Sequence, residues 1–325
     1  MASSLVTWSP SVTLVPTHGC FNACGYCSFR VPLEQAVPLS LSDAAGQLQE
    51  RPVAAEVLLL SGEVAPHAPL RGEWFARLRQ LSALALAKGR LPHTNAGPLS
   101  LREMAALARL NPSMGLMLEG VGPAYDALHR HAPSKTLAIR LAQLEQAGRL
   151  GIPFTTGLLL GVGETMAERT QALELLAGVQ RRWGHIQEVI LQPWRPDGDA
   201  ARPLTPAEQG DLLELIAIAR QLLPPEVHLQ TPPNLWPLDQ LPAALEAGIN
   251  DLGGIDTVDV INPAYPQPAP EALRQLLASR GWRLVPRTCV HRHWWSWLPT
   301  ALRRRVEQRA RLLASEQAPA NAPHL

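Results

Sequence analysis

Short apolar, β-branched runs alternate along this chain with longer stretches in which apolar residues recur every three or four positions. The short runs predict strands over 12–16, 56–61, 91–95, 114–119, 154–160, 188–192 and 227–230, with a weaker eighth near 258–261. The longer stretches predict helices over 40–50, 70–88, 101–110, 135–150, 166–182, 206–223 and 238–247. Several helix starts carry a capping box: Ser100 with Glu103, Thr165 with Glu168, and Thr205 with Glu208, the last with Pro206 in the first helical position. Strand–helix alternation of this kind implies parallel strands joined by helical crossovers. The expected fold is α/β, a full or partial TIM-like (βα) barrel, with a doubly wound open sheet as the alternative. Either places chemistry at the C-terminal ends of the strands.

Composition narrows the class. Of 325 residues 46% are apolar and 18% charged, which suits a large packed core and not a disordered chain. The net charge of +1 gives no field that would gather nucleic acid or an anionic membrane, so neither is expected as a partner. The apolar runs are strand-sized, and the first residues lack the basic start and long apolar stretch of a secretory signal, so a cytoplasmic protein is expected. The expected organisation is a barrel core over 1–265, a helical extension over 266–314 that closes the barrel, and a disordered Ala/Pro-rich tail over 315–325. A basic helix carrying Arg303, Arg304, Arg305, Arg309 and Arg311 reads as a solvated face.

Chemistry concentrates in the cysteines. Cys20, Cys24 and Cys27 fall within eight residues, spaced CxxxCxxC, directly after the first predicted strand; Cys289 stands far away and reads as structural. Clustered thiolates are soft ligands suited to an iron–sulfur cluster. Three of them leave one iron of a cube open for a small chelating ligand. Zinc with His18 as fourth ligand is the alternative, as is a set of ordinary buried cysteines.

This triad at this place resembles the radical S-adenosylmethionine (SAM) superfamily. The resemblance implies a 4Fe–4S cluster on Cys20, Cys24 and Cys27, SAM chelated at the open iron, and Tyr26 shielding the cluster. It also implies SAM contacts. Gly62 and Glu63 stand where the superfamily carries a Gly-Gly-Glu-like segment, and Glu119 ends the fourth strand. Arg140 is a candidate clamp for the SAM carboxylate. Gly161, Gly163 and Glu164 fall where a glycine-rich strand end lies along the adenine.

Further segments resemble one member family, CofG, the small subunit of FO synthase. They are Leu14-Val-Pro-Thr17, Cys27-Ser-Phe-Arg30, the stretch from Pro92 to Ser100, that from Ser113 to Glu119, His131-Ala-Pro-Ser-Lys135, that from Pro153 to Gly161, and His185-Ile-Gln-Glu188. The implied activity is a lyase step. A deoxyadenosyl radical abstracts hydrogen from a 4-hydroxybenzyl ribityl-uracil adduct, and ring closure with loss of ammonia gives the deazaflavin FO. The implied partners are a CofH-like enzyme that makes the adduct and a flavodoxin- or ferredoxin-type electron donor. His93 is the candidate proton acceptor, and Thr94, Asn95, Thr155, Thr156, Gln192 and Asn234 are candidate substrate contacts. The stretches 191–198 and 289–297 depart from the family pattern. A CofH-like or menaquinone-pathway radical SAM enzyme remains the nearest alternative, and a zinc-stabilised binding protein the alternative from another class.

Overall fold

The computed structural model describes residues 4–316. The elements follow in the order β1 (Ser4–Leu14), α1 (Leu41–Glu50), β2 (Glu56–Leu60), α2 (Arg71–Ala87), β3 (Leu91–Asn95), α3 (Leu101–Ala108), β4 (Ser113–Gly115), α4 (Pro123–Leu128), α5 (Leu137–Arg149) and β5 (Phe154–Leu160). After these come α6 (Met166–Trp183), β6 (Ile186–Pro193), α7 (Pro206–Leu222), β7 (His228–Gln230), α8 (Leu241–Ala247), β8 (Asp251–Ile255), α9 (Pro270–Ala278), β9 (Trp282–Pro286) and α10 (Thr300–Glu316). Strands β1 to β8 pair in sequence order, all parallel, and the β1–β2 pairing closes the ring. The expected barrel is therefore full and closed.

Local chemistry explains the helix starts. Ser100, Thr165 and Thr205 each accept a hydrogen bond from the backbone N–H three residues on, and Glu103, Glu168 and Glu208 reach back to the cap, so all three predicted capping boxes form. The main core lies between the sheet and the helices, with Leu107, Leu144, Phe154, Leu173, Leu176 and Leu215 among its buried residues.

Four expectations are corrected. First, β1 begins at Ser4, eight residues before the predicted start at 12; its Thr7, Ser9 and Ser11 break the apolar pattern because the interior they face is polar. Second, the eighth strand is Asp251–Ile255, not 258–261, where Val258 is exposed. Its Gly253 has φ +72 and a Cβ there would lie 2.0 Å from the Gln230 amide, so crowding selects residues without apolar character. Third, the segment after 265 is not purely helical: β9 pairs with Ser4–Trp8 of β1, while Ser11–Leu14 pairs with β2. Fourth, Ser315 and Glu316 belong to α10; the rest of the expected tail, 317–325, lies outside the described residues. On α10 the arginines do more than face solvent, since Arg305 donates to the Leu86 carbonyl and Arg309 to those of Val53 and Ala54.

Candidate active site

The loop after β1 carries the three cysteines over the C-terminal mouth of the barrel. Its backbone is anchored from two sides. Phe21 N–H donates to the Glu63 carbonyl at 3.0 Å, and Ala23 and Gly25 N–H donate to the carbonyls of His131 and Leu128 at 2.7 and 2.8 Å. The Cys20 sulfur also accepts from the Glu63 backbone N–H at 3.3 Å. All three thiols are half-buried and line one cavity. Burial raises the Cys20 thiol and pushes Cys24 up to about 11. The donor set of three soft sulfurs on one loop fits an iron–sulfur cluster.

Two buried ion pairs stand beside the cysteines. The Glu63 carboxylate pairs with Arg140 at 2.8 Å and accepts from Asn22 at 3.0 Å and from Ser134. Burial alone would raise it; Arg140, Lys135 and Ser134 outweigh that and hold it below the usual carboxylate range. Glu119 pairs with Lys135 and accepts from the Tyr26 hydroxyl at 2.8 Å. Burial raises it too, but Lys135 and Arg140 bring it down to about 2. Glu119 is the one described non-glycine residue in the left-handed region, at φ 77, a strain that its neighbours must sustain. Two glycines make room: a Cβ on Gly62 would lie 2.2 Å from the Gly19 carbonyl oxygen, and Gly97, at φ +76, would drive one into the Glu63 side chain at 2.4 Å.

The structure divides the sequence-derived residues into three groups. Cys20, Cys24, Cys27, Gly62, Glu63 and Glu119 line the cavity, as do Arg140, Asn95 and Gln192. Gly161, Gly163 and Glu164 form the turn that ends β5 and lie beside it, not along it. Glu164 accepts from the Gly161 and Val162 N–H groups at 2.7 and 2.8 Å and pairs with Arg169 at 2.8 Å, while Leu159 is the β5 residue that reaches the cavity. The remainder lie outside it. His93 is bonded to Ser113 at 2.7 Å lower in the barrel, and burial, helped by Arg287, brings it down to about 3. Thr94 points the other way, donating to Asn111. Thr155 donates to Glu188, and Thr156 accepts from the Leu118 N–H. Asn234 holds a loop, donating to Asp259 and to the Tyr265 carbonyl.

Sequence reading missed Asn22, Ser134 and Lys135, although the segment His131–Lys135 contains two of them, and it missed Trp194, Arg195 and Tyr265 on the wall formed after β6 and β8. A second polar group lies beneath the cavity. Arg287, just after β9, donates to Glu188 at 2.7 Å and to both oxygens of Asp251. His228 and His291 stack beside it at 3.6 Å. Their ring nitrogens and Asp251 lie within 4.8 Å, but Arg287 already occupies the carboxylate, so the group is an ionic plug. Cys289 is buried there, and its carbonyl accepts from Ser113 and Gln187.

Comparison with known proteins agrees with this geometry. The Radical SAM superfamily model matches residues 14–176. The 7,8-didemethyl-8-hydroxy-5-deazariboflavin synthase of Thermosynechococcus vestitus is 49% identical over 312 residues, covering 95% of this chain and 99% of that protein. The synthase of the same name from Gloeobacter violaceus is 52% identical over 318 residues, covering 96% and 98%. Among solved structures, the FeFe-hydrogenase maturase HydG of Carboxydothermus hydrogenoformans superposes with a TM-score of 0.70 at 16% identity, covering 96% of this chain and 79% of that one. Methylornithine synthase (PylB) gives 0.61 at 14% identity, covering 87% and 83%. These two likenesses speak to the fold.

Proposed function

The chain belongs to the radical SAM superfamily and, within it, to the 7,8-didemethyl-8-hydroxy-5-deazariboflavin synthases, and on that premise we propose that it closes the deazaflavin ring of FO from a 4-hydroxybenzyl ribityl-uracil adduct, releasing ammonia. Membership implies a 4Fe–4S cluster and SAM as cofactors. The observation that carries the reading is the meeting of three thiols and two buried ion pairs in one cavity at the C-terminal end of a closed barrel.

When bound, the cluster supplies the electron that splits SAM into methionine and a 5′-deoxyadenosyl radical. The chain's own residues hold and orient. Cys20, Cys24 and Cys27 would ligate the cluster. Glu63 suits the SAM ammonium and Arg140 its carboxylate, each kept charged by the other. Glu119, fixed by Lys135 and Tyr26, suits the ribose or the methionine part. The rigid turn at Gly161 and Gly163, tied by Glu164, would end the strand against which the adenine lies. Asn95 and Gln192 are left for the substrate's polar edges. His93, Thr94, Thr155 and Thr156 are bonded outside the cavity, and this reading rests on none of them.

The adduct would come from a CofH-like partner and the electron from a flavodoxin or ferredoxin. No helix among the described residues is long and apolar enough to cross a membrane. In this reading residues 1–265 form the catalytic core, and the segment from 266 onward is its closure.

The test is anaerobic incubation of the reconstituted protein with SAM, dithionite and the adduct. A fluorescent deazaflavin together with 5′-deoxyadenosine is expected. Deoxyadenosine without deazaflavin would assign the chain to a different radical SAM reaction, and a colourless zinc-bearing protein would remove the cluster altogether.

A further inference from the structure

Beside the cysteines the cavity is lined by two buried ion pairs, Glu63 with Arg140 and Glu119 with Lys135, and by Arg30, which donates to the Cys20 carbonyl. The wall formed by the segments after β6 and β8 carries the exposed Asp197 and a buried cation, Arg195. Arg195 is only 6% exposed, yet no carboxylate among the described residues lies within ion-pair distance of it. One nitrogen donates to the Leu235 carbonyl at 2.8 Å; the buried Nε has no partner. Arg195 lines the cavity.

Its position is fixed. The Arg195 guanidinium carbon sits 4.7 Å from the Tyr265 ring centre, so the ring face sets the plane of the fork. The Tyr265 hydroxyl donates to the Pro196 carbonyl at 2.6 Å, and Asn234 holds the Tyr265 carbonyl at 2.9 Å. A buried cation without an anion is costly, and a buried N–H without an acceptor adds to the cost. Such a guanidinium, pre-oriented in a cavity wall with its second terminal nitrogen unbonded to the protein, is suited to a ligand that brings an acceptor to that nitrogen.

We propose that Arg195, oriented by Tyr265, is the substrate-recognition residue of this cavity and donates to a ring oxygen that accepts hydrogen bonds. This rests on the reaction proposed above, whose substrate offers that chemistry in two places: the carbonyl edge of the pyrimidinedione and the phenolic oxygen of the hydroxybenzyl group. SAM is assigned to the Glu63–Arg140 and Glu119–Lys135 pairs beside the cysteines, not to Arg195. Asn234 then acts as a positioning residue, through the loop that carries Tyr265.

The experiment compares wild-type holoenzyme with Arg195→Gln and Arg195→Lys. Iron content and SAM binding serve as checks on folding. Three probes are used: the adduct, the ribitylaminouracil without its benzyl group, and an adduct lacking the phenolic oxygen. Arg195→Gln should weaken binding of the adduct and raise its KM by about tenfold or more, the scale of one lost charge-assisted hydrogen bond. Arg195→Lys should recover only part of this, because an ammonium lacks the planar fork. A penalty that persists with ribitylaminouracil assigns the pyrimidinedione edge. One that disappears with the adduct lacking the phenolic oxygen assigns that oxygen. Affinities within twofold of wild type for all three probes would overturn the inference. If Arg195→Gln loses its cluster, Arg195→Lys carries the same comparison. A wild-type enzyme that makes no deazaflavin would instead remove the reaction on which the proposal rests.

Discussion

Glu63 accepts hydrogen bonds from three side chains, and one of them, Arg140, is itself 1% exposed. Removing one charge of such a pair leaves the other stranded. Glu63→Gln should therefore cost about 3–5 kcal/mol of stability, read by chemical denaturation, and weaken SAM binding at least tenfold. Glu119 gives a pH signature. Its folded-state value of about 2 lies below the ordinary carboxylate value of 4.5. Its stabilisation is therefore fully present above pH 4.5 and lost as the pH falls toward 2, a difference of about 3 kcal/mol. Acid unfolding followed by circular dichroism should be shallower in this window for Glu119→Gln; an unchanged curve would show that the Lys135 pair does not govern acid sensitivity. These acids were legible in the sequence because charges at strand ends are conspicuous. Asn22, Ser134 and Lys135 were not, because they reach the site only when the residues after α4 fold back against the cysteine loop.

Among elements, the regular helices were readable from period and capping, and the short irregular strands were not. Strand β9, Trp-Arg-Leu-Val-Pro, has no clear alternation, and β8 is rich in glycine. The depth of a residue inside the barrel was equally hidden: alternation puts His93 and Asn95 on one strand face but does not say which reaches the cavity. The structure places His93 with the ionic plug instead. There Arg287 offsets Glu188 and Asp251, while Glu56 is pushed up to about 6, burial being the largest cause. Arg287→Leu should cost about 3–5 kcal/mol near pH 8. Without the guanidinium Glu56, already raised by burial, rises further above its unfolded value. Raised acids favour folding below the unfolded value and lose that advantage as pH climbs through the folded one. Thermal melts should thus show a smaller deficit at pH 5 than at pH 8; an equal deficit would refute the charge argument.

On the scale of the whole molecule, residues beyond 265 add a strand to β1 and pack against the barrel, and the closure proposed for them makes a prediction. Strand β9 covers the first half of β1 and delivers Arg287 into the interior. Behind it Trp294, fully buried, packs with Val290, Leu302 and Val306 over Leu91 at the start of β3. Loss of one such tryptophan from a core costs about 3–5 kcal/mol, and domains of this kind have only about 5–15 kcal/mol to lose. Ending the chain at Tyr265 removes the tryptophan, the β1–β9 pairing and the only cation facing Glu188 and Asp251 among the described residues. The shortened chain should fail to give a soluble, brown protein after anaerobic reconstitution, although Cys20, Cys24, Cys27 and both ion pairs of the cavity remain in it. Recovery of a folded chain with full iron content would make residues 266–316 an appendage rather than the closure of the barrel.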